Sequence, residues 1–349
     1  MDAVDVSDHY EVITTEETPS LLAIILDTNP RAWAALGDRL PLSKAVANLL
    51  VFVNAHLAFS NANQVALIAA HVDRAVWLYP APPRSATADA ALASIPASAN
   101  KYPHFAHIES TVTASIRHLT DATTEANLAQ TTTHLSGSLT LALSHINKAT
   151  QALSATTAAV GDAVQANNVT APMSLKGRIL VISVSDSEPS QYIPTMNAVF
   201  AAAHARVAID TLALAGDQAF LQQACSYTNG TFLVASKPQG MLTYLMFGLI
   251  ADTEARKSLV TPTHDKDDFR VTCFCHFKVI DKALVCHECL SIFCEVPPDA
   301  ECLTCGIKLA LDKYGSKPAV VPRKKKKKKR AGNGSVREET GSATGTPRP

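Results

Sequence analysis

Two long apolar runs break an otherwise mixed pattern of hydrophobic and polar positions. The first, "SLLAIILD", is continuous from Leu21 to Leu26 and stops at Asp27; the second, "GRILVISVSDS", reaches Asp186. Unbroken Leu/Ile/Val runs of this length fit strands covered on both faces, as in a parallel sheet between helix layers. Elsewhere the period becomes helical. In "PLSKAVANLLVFVNAHLAFS" the residues Leu42, Val46, Leu49, Leu50 and Val53 share a face, and Pro41 suits a first turn. "NQVALIAAH" and "RAVWLYP" read as short strands. Helical patterns follow from Phe105 to Leu119 and in "SGSLTLALSHINKA", where Leu139, Leu143 and Ile146 align and Ser136 or Ser138 offers a cap. After the second run come helix "QYIPTMNAVFAAAH", strand "RVAIDTLAL", helix "DQAFLQQAC", strand "GTFLVAS" and helix "QGMLTYLMFGLIAD". This alternation predicts an α/β fold, a mostly parallel sheet with helices on both faces. Ligands of such sheets gather at the carboxyl ends of the strands, where Asp27 and Asp186 fall.

Composition divides the chain further. Hydrophobic residues are 47% and charged residues 18% of 349, enough apolar content for a large buried core. The 31 Lys and Arg balance the 31 Asp and Glu, so no overall field draws the chain to nucleic acid or membrane. Residues 1–17 form an acidic tail without the basic start and apolar core of a secretory leader. The longest apolar stretch, "MLTYLMFGLIA", is about half the ~20 residues a membrane span needs. A soluble intracellular protein is therefore expected. The α/β domain occupies 18–260, with a low-complexity, alanine-rich insert near 81–103. A metal-binding module is expected at 265–315 and a basic disordered tail at 316–349. That tail carries eight consecutive cations, Arg323, Lys324, Lys325, Lys326, Lys327, Lys328, Lys329 and Arg330, in the pattern of a nuclear localisation signal.

Seven of the eight cysteines lie between Cys273 and Cys305; the eighth, Cys225, sits on a helix face and reads as a buried structural thiol. In a reducing compartment a clustered set points to metal rather than disulfides. Cys286-x-x-Cys289 and Cys302-x-x-Cys305 are two knuckles, each aiming two thiolates at one tetrahedral Zn²⁺, so these four make a complete C4 site. Cys273, Cys275, His276 and Cys294 are candidates for a second site interleaved with the first, as in cross-braced RING-like modules. Cys273-x-Cys275 is tighter than a knuckle and Cys294 has no cysteine three residues on, so the spacing leaves open whether the second site is irregular or lost. Phe274, Phe277, Ile292 and Phe293 are the expected apolar core of the module.

The sheet edge resembles a von Willebrand factor A domain, whose ion site takes Asp-x-Ser-x-Ser from the first loop, a Thr from a second and an Asp from a third. Here the first loop is "DTNPR", with Asn29 and Arg31 at the serine positions, and Ser138 and Asp186 stand as candidate remnants of the other loops. Arg31 sets a permanent charge where the cation would sit, so no Mg²⁺ is expected, and its guanidinium is a candidate partner for Asp27. No Gly-x-x-x-x-Gly-Lys, His-Glu-x-x-His or Gly-x-Ser-x-Gly motif occurs.

Taken with "IDTLALAGDQAFLQQACSYTNGTFL", "CFCH", "VCHECLSIFC", "CLTC" and the basic tail, the chain resembles the smaller of the two von Willebrand A-like, zinc-finger subunits of the general transcription factor TFIIH. The resemblance spans about Leu21 to Arg330. It implies a non-catalytic, nuclear scaffold in RNA polymerase II initiation and nucleotide excision repair. It also implies an A-like domain on which the RING-like module of the larger zinc-finger subunit docks, within a core that includes the helicases. Alternatives from other classes are a RING-type ubiquitin ligase, which needs two complete zinc sites, and a metal-dependent ligand-binding A domain at Asp27, Ser138 and Asp186.

Overall fold

The computed structural model describes residues 18–80, 102–129, 132–161, 175–260, 271–276, 278–280 and 282–309. The acidic tail 1–17, nearly all of the alanine-rich insert and the basic tail 316–349, with Arg323 to Arg330, lie outside these residues.

Both apolar runs are strands at the centre of a six-stranded sheet. In chain order the strands are β1 (Ser20–Asp27), β2 (Gln64–Ala70), β3 (Ala75–Tyr79), β4 (Lys176–Ser183), β5 (Ala208–Ala213) and β6 (Phe232–Val234). Their order across the sheet is β3-β2-β1-β4-β5-β6, parallel except for the antiparallel edge strand β3. In β1 the run Leu21 to Leu26 is buried throughout, on one side with α2 (Leu42–Phe59) and α3 (Pro103–Asp121), on the other with α5 (Leu135–Gly161), α6 (Tyr192–His204) and α7 (Ala219–Thr228). Successive residues of a strand face opposite ways, so a strand sandwiched between two helix layers has to be apolar at every position.

Three elements depart from the sequence pattern. A short helix α1 (Pro30–Leu36) follows β1, started by Asn29, whose side chain accepts from the Arg31 and Ala32 amides. A four-residue helix α4 (Glu125–Leu128) interrupts the Thr- and Ala-rich stretch. The last helix of the domain is α-helical only over Met241–Thr243 (α8) and continues as a π-helix over Tyr244–Leu249. There Leu245 and Leu249 are buried while Phe247 is 88% exposed.

Arg178 on β4 meets the end of this helix. Its guanidinium donates to the carbonyls of Leu249 (2.9 Å) and Ala251 (2.6 Å), satisfying helix-end groups that otherwise lack partners. It also meets Asp210 on β5 at 3.3 Å. Arg256 grips the same carboxylate with two bonds of 2.6 and 2.8 Å, and the Thr231 amide adds a third donor at 2.8 Å. A fully buried carboxylate is tolerated only with such pairing.

His56 of α2 is buried near Arg178, and burial first, then that guanidinium, push its pKa down to about 4. The imidazole is neutral in the folded protein, whereas the unfolded chain protonates it near pH 6.5. Its contribution is therefore intact above pH 6.5 and is lost as pH falls toward 4, amounting to about 3 kcal/mol. Denaturant unfolding of wild type and His56→Leu between pH 7 and pH 4 should show the variant losing about that much less stability; parallel curves would contradict it.

Candidate metal centres

At the carboxyl edge of the sheet Asp27 is 1% exposed. Its Oδ2 accepts from the backbone amides of Val184 (3.1 Å) and Ser185 (2.9 Å), and its Oδ1 from Asn29 (3.0 Å). Burial raises the carboxyl pKa, and these bonds oppose the rise. Asn29 Nδ2 donates to Thr133 Oγ1 at 3.1 Å, and Thr133 Oγ1 donates to Ser185 Oγ at 2.9 Å.

The hydroxyl that the second loop brings here is thus Thr133, not Ser138. Ser138 is buried inside α5 and its Oγ donates to the His134 carbonyl at 2.9 Å. Asp186 does line the same small cleft, but its Oδ1 accepts from the Asp217 amide at 2.7 Å. Gly216, at φ 84, permits that approach, since a Cβ there would lie 2.9 Å from Asp186 Oδ1. Arg31 is exposed, and among the described residues it is backbone amides that donate to the Asp27 carboxylate, together with a long contact from Ser183 Oγ at 3.5 Å. Backbone amides thus supply the three shortest bonds to the Asp27 carboxylate. Cys225 is buried against Thr211 at 3.2 Å, and burial pushes its thiol well up, as befits an inert packing group.

The C-terminal module is organised by three tight turns of one design. The amide of Cys273 donates to Lys278 O (2.9 Å), that of Cys286 to Ser291 O (2.9 Å) and that of Cys302 to Ile307 O (2.8 Å). In the latter two the residue before the acceptor, Leu290 (φ 58) or Gly306 (φ 70), takes the left-handed conformation that folds the turn back. Small two-stranded pairings flank them, β7 (Val271–Thr272) with β8 (Val279–Ile280) and β9 (Leu284–Val285) with β10 (Ile292–Phe293). The apolar centre is Phe293 and Leu309, with Phe274 and Leu284 against it; Ile292 is half-buried beside them in sequence, and Phe277 is outside the described residues.

These turns collect the thiols into two quartets. Cys286, Cys289, Cys302 and Cys305 form one, and Cys273, Cys275, His276 and Cys294 the other, with the ligand atoms of each within 4.8 Å of one another. In the first, Cys286 and Cys305 sulfurs are 3.7 Å apart and Cys289 and Cys302 sulfurs 3.5 Å; two thiolates on one tetrahedral zinc stand about 3.8 Å apart. In the second, Cys275 and Cys294 sulfurs are 3.5 Å apart and His276 Nδ1 is 3.1 Å from Cys294. The irregular Cys-x-Cys-His spacing resolves as a Cys273-x-x-His276 knuckle with Cys275 inside it. The quartets alternate along the chain, so each braces the other.

The Ser291 hydroxyl and amide hold Cys289 down at about 6. The Ile307 amide favours the Cys305 thiolate, but burial and the neighbouring thiols outweigh it and push Cys305 up to about 12. Cys275 likewise pushes Cys294 up to about 11. Four thiolates cannot ionise together in so small a space unless a cation joins them. Both donor sets, four sulfurs or three sulfurs and a nitrogen, suit a soft tetrahedral metal rather than Mg²⁺ or Ca²⁺.

The family model of transcription factor Tfb4 matches residues 19–306, across the sheet domain and both quartets. The chain belongs to the Tfb4 family. The general transcription and DNA repair factor IIH subunit tfb4 of Schizosaccharomyces pombe is 38% identical over 303 residues, covering 86% of this chain and 92% of that protein. The subunit TFB4 of Saccharomyces cerevisiae is 31% identical over 336 residues, covering 90% and 94%. The crystal structure of the TFIIH p34 N-terminal domain matches with a TM-score of 0.54 at 58% identity, over 66% of this chain and 97% of that one. The sheet domain is von Willebrand A-like, as its sequence indicates.

Loss of one ligand should unfold the whole module, because structural zinc contributes on the order of 10 kcal/mol to the folding of such small units. Cys286→Ser and Cys294→Ser are each expected to release metal and expose 271–309 to limited proteolysis, leaving 18–260 resistant. A protease-resistant module in Cys294→Ser would remove the second quartet from the ligand set.

Proposed function

We propose that this chain is the Tfb4-type subunit of the TFIIH core, a non-catalytic scaffold acting in RNA polymerase II transcription initiation and nucleotide excision repair. The observation that carries this reading is the family match over 19–306, which takes in both the A-like domain and the cysteine array. The chemistry agrees with it. The polar groups at the sheet edge are engaged with one another, and the two quartets are built to hold a shape. Zinc fills both quartets on this reading, with Cys286, Cys289, Cys302 and Cys305 at one ion and Cys273, Cys275, His276 and Cys294 at the other. The chain divides into an A-like domain over 18–260 and a RING-like metal module over 265–315. The A-like domain receives the RING-like module of the larger zinc-finger subunit, and contact with the helicases follows from membership of the same core. Its compartment is the nucleus, with Arg323 to Arg330 as the import signal.

Co-expression of the full-length chain with that larger subunit tests the reading. A stable complex on size exclusion, surviving high salt, is expected, and separate elution of two folded proteins would sink it. Two interleaved quartets also meet the metal requirement of a RING-type ubiquitin ligase, so the same preparation should be assayed for autoubiquitination with a panel of conjugating enzymes. No ubiquitin transfer is expected.

A further inference from the structure

At the opposite, N-terminal edge of the sheet a cavity of about 650 Å³ opens between the ends of α6 and α7 and the segment after the π-helix. Three cations, Arg206, Arg256 and Lys257, line it, and among the described residues no carboxylate does. Arg256 is committed to Asp210. Lys257 holds Glu254 at 3.0 Å, and Glu254 lies 3.8 Å from Lys176, in exposed pairs of the kind that exchange readily. Positive charge therefore prevails at the rim.

Arg206 is the unusual member. Its φ of 56 lies in the left-handed region, which a residue bearing a Cβ adopts at a cost and which helix ends ordinarily give to Gly or Asn. The matching position after α7 is indeed Asn229, at φ 55. Arginine is an unfavoured choice for this backbone, which draws attention to what its side chain does. Among the described residues no hydrogen bond or ion pair is formed by its guanidinium. Tyr227 of α7 also lines the cavity and packs at a tilt against Phe200 of α6, with ring centroids 5.6 Å apart, the two remaining 47% and 53% exposed. Exposed aromatics next to arginine are the composition of a recognition surface. Its complement is an acidic segment with apolar residues interleaved.

The chain carries such a segment. Residues 1–17 contain Asp2, Asp5, Asp8, Glu11, Glu16 and Glu17, no Lys or Arg, and Val4, Val6, Tyr10, Val12 and Ile13 between them. They join the fold at the same edge: the Pro19 carbonyl accepts from the Lys176 amide, Leu22 is level with Arg178, and Arg178 with Ala208 at the cavity. Two strand spacings, roughly 10 Å, separate the entry of β1 from β5, and 17 residues can reach roughly 55 Å.

We propose that residues 1–17 dock in this cavity of the same chain, their carboxylates on Arg206 and Lys257 and their apolar side chains against Phe200 and Tyr227.

Carbodiimide coupling, which joins a carboxylate directly to an amine, tests this on the full-length chain with peptide mass spectrometry. Links from Glu11, Glu16 or Glu17 to Lys257 are expected, and they should disappear at high salt and in Arg206→Glu. Arg206→Gly suits the left-handed backbone, so it should keep the melting temperature while lowering the link up to about five-fold, the share of one ion pair. Deleting 1–17 should speed amide exchange at 227–231. Links spread evenly over Lys44 and Lys237, or a Lys257 link of equal yield in Arg206→Gly and Arg206→Glu, would overturn the proposal. So would exchange at 227–231 that ignores the deletion, including the case in which those amides respond only to an added single-stranded oligonucleotide.

Discussion

A carboxylate at the end of the central strand has to be balanced without water. Asp27 closes β1 between two helix layers, at a depth where an unpaired charge costs several kcal/mol. Its solution is made of backbone: amides of Val184 and Ser185 from beyond β4, and of Asn29 from its own loop. Its carbonyl also accepts from Trp33 Nε1 at 2.8 Å, which fixes α1 against the sheet. One residue therefore sets the first loop, the start of α1 and the turn after β4. Asn29, Thr133 and Ser185 then complete a chain of hydrogen bonds across all three loops. The three loops at this edge are thus tied into one hydrogen-bonded network.

The groups that could hold a metal lie at the other end of the chain. At the sheet edge the buried carboxylate of Asp27 is already satisfied by backbone amides. In the C-terminal module eight candidate ligands crowd into two spaces less than 5 Å across, where neighbouring thiols push the pKa of Cys294 and Cys305 up. Phe293 and Leu309, with a few partners, make a small core for that module, and modules of this size depend on a staple such as a structural metal. Interleaving makes the two centres interdependent.

Much of this was legible in the sequence. Strands buried on both faces announce themselves as unbroken apolar runs, and the C4 quartet follows from knuckle spacing alone. What escaped depended on contacts between distant segments. Ser138 was the natural serine to place at the second loop, but α5 starts at Leu135, three residues before it, and that turns its hydroxyl back on His134, leaving Thr133 to enter the site. Arg31 looked like the counter-ion of Asp27; Asn29 capping α1 turns it outward instead. The π-helical end of the domain reads in sequence as an ordinary apolar helix, because the Arg178 bonds that receive its carbonyls come from a strand about seventy residues away. The second quartet was visible as residues but not as a shape, since a Cys-x-Cys-His spacing matches no single knuckle until the turn is seen.

The most direct test of this division is the metal content of the full-length protein by native mass spectrometry, with both zinc and magnesium supplied. Two zinc ions per chain and no retained magnesium are expected. One zinc or none, or a stoichiometric magnesium lost in Asp27→Ala, would contradict it.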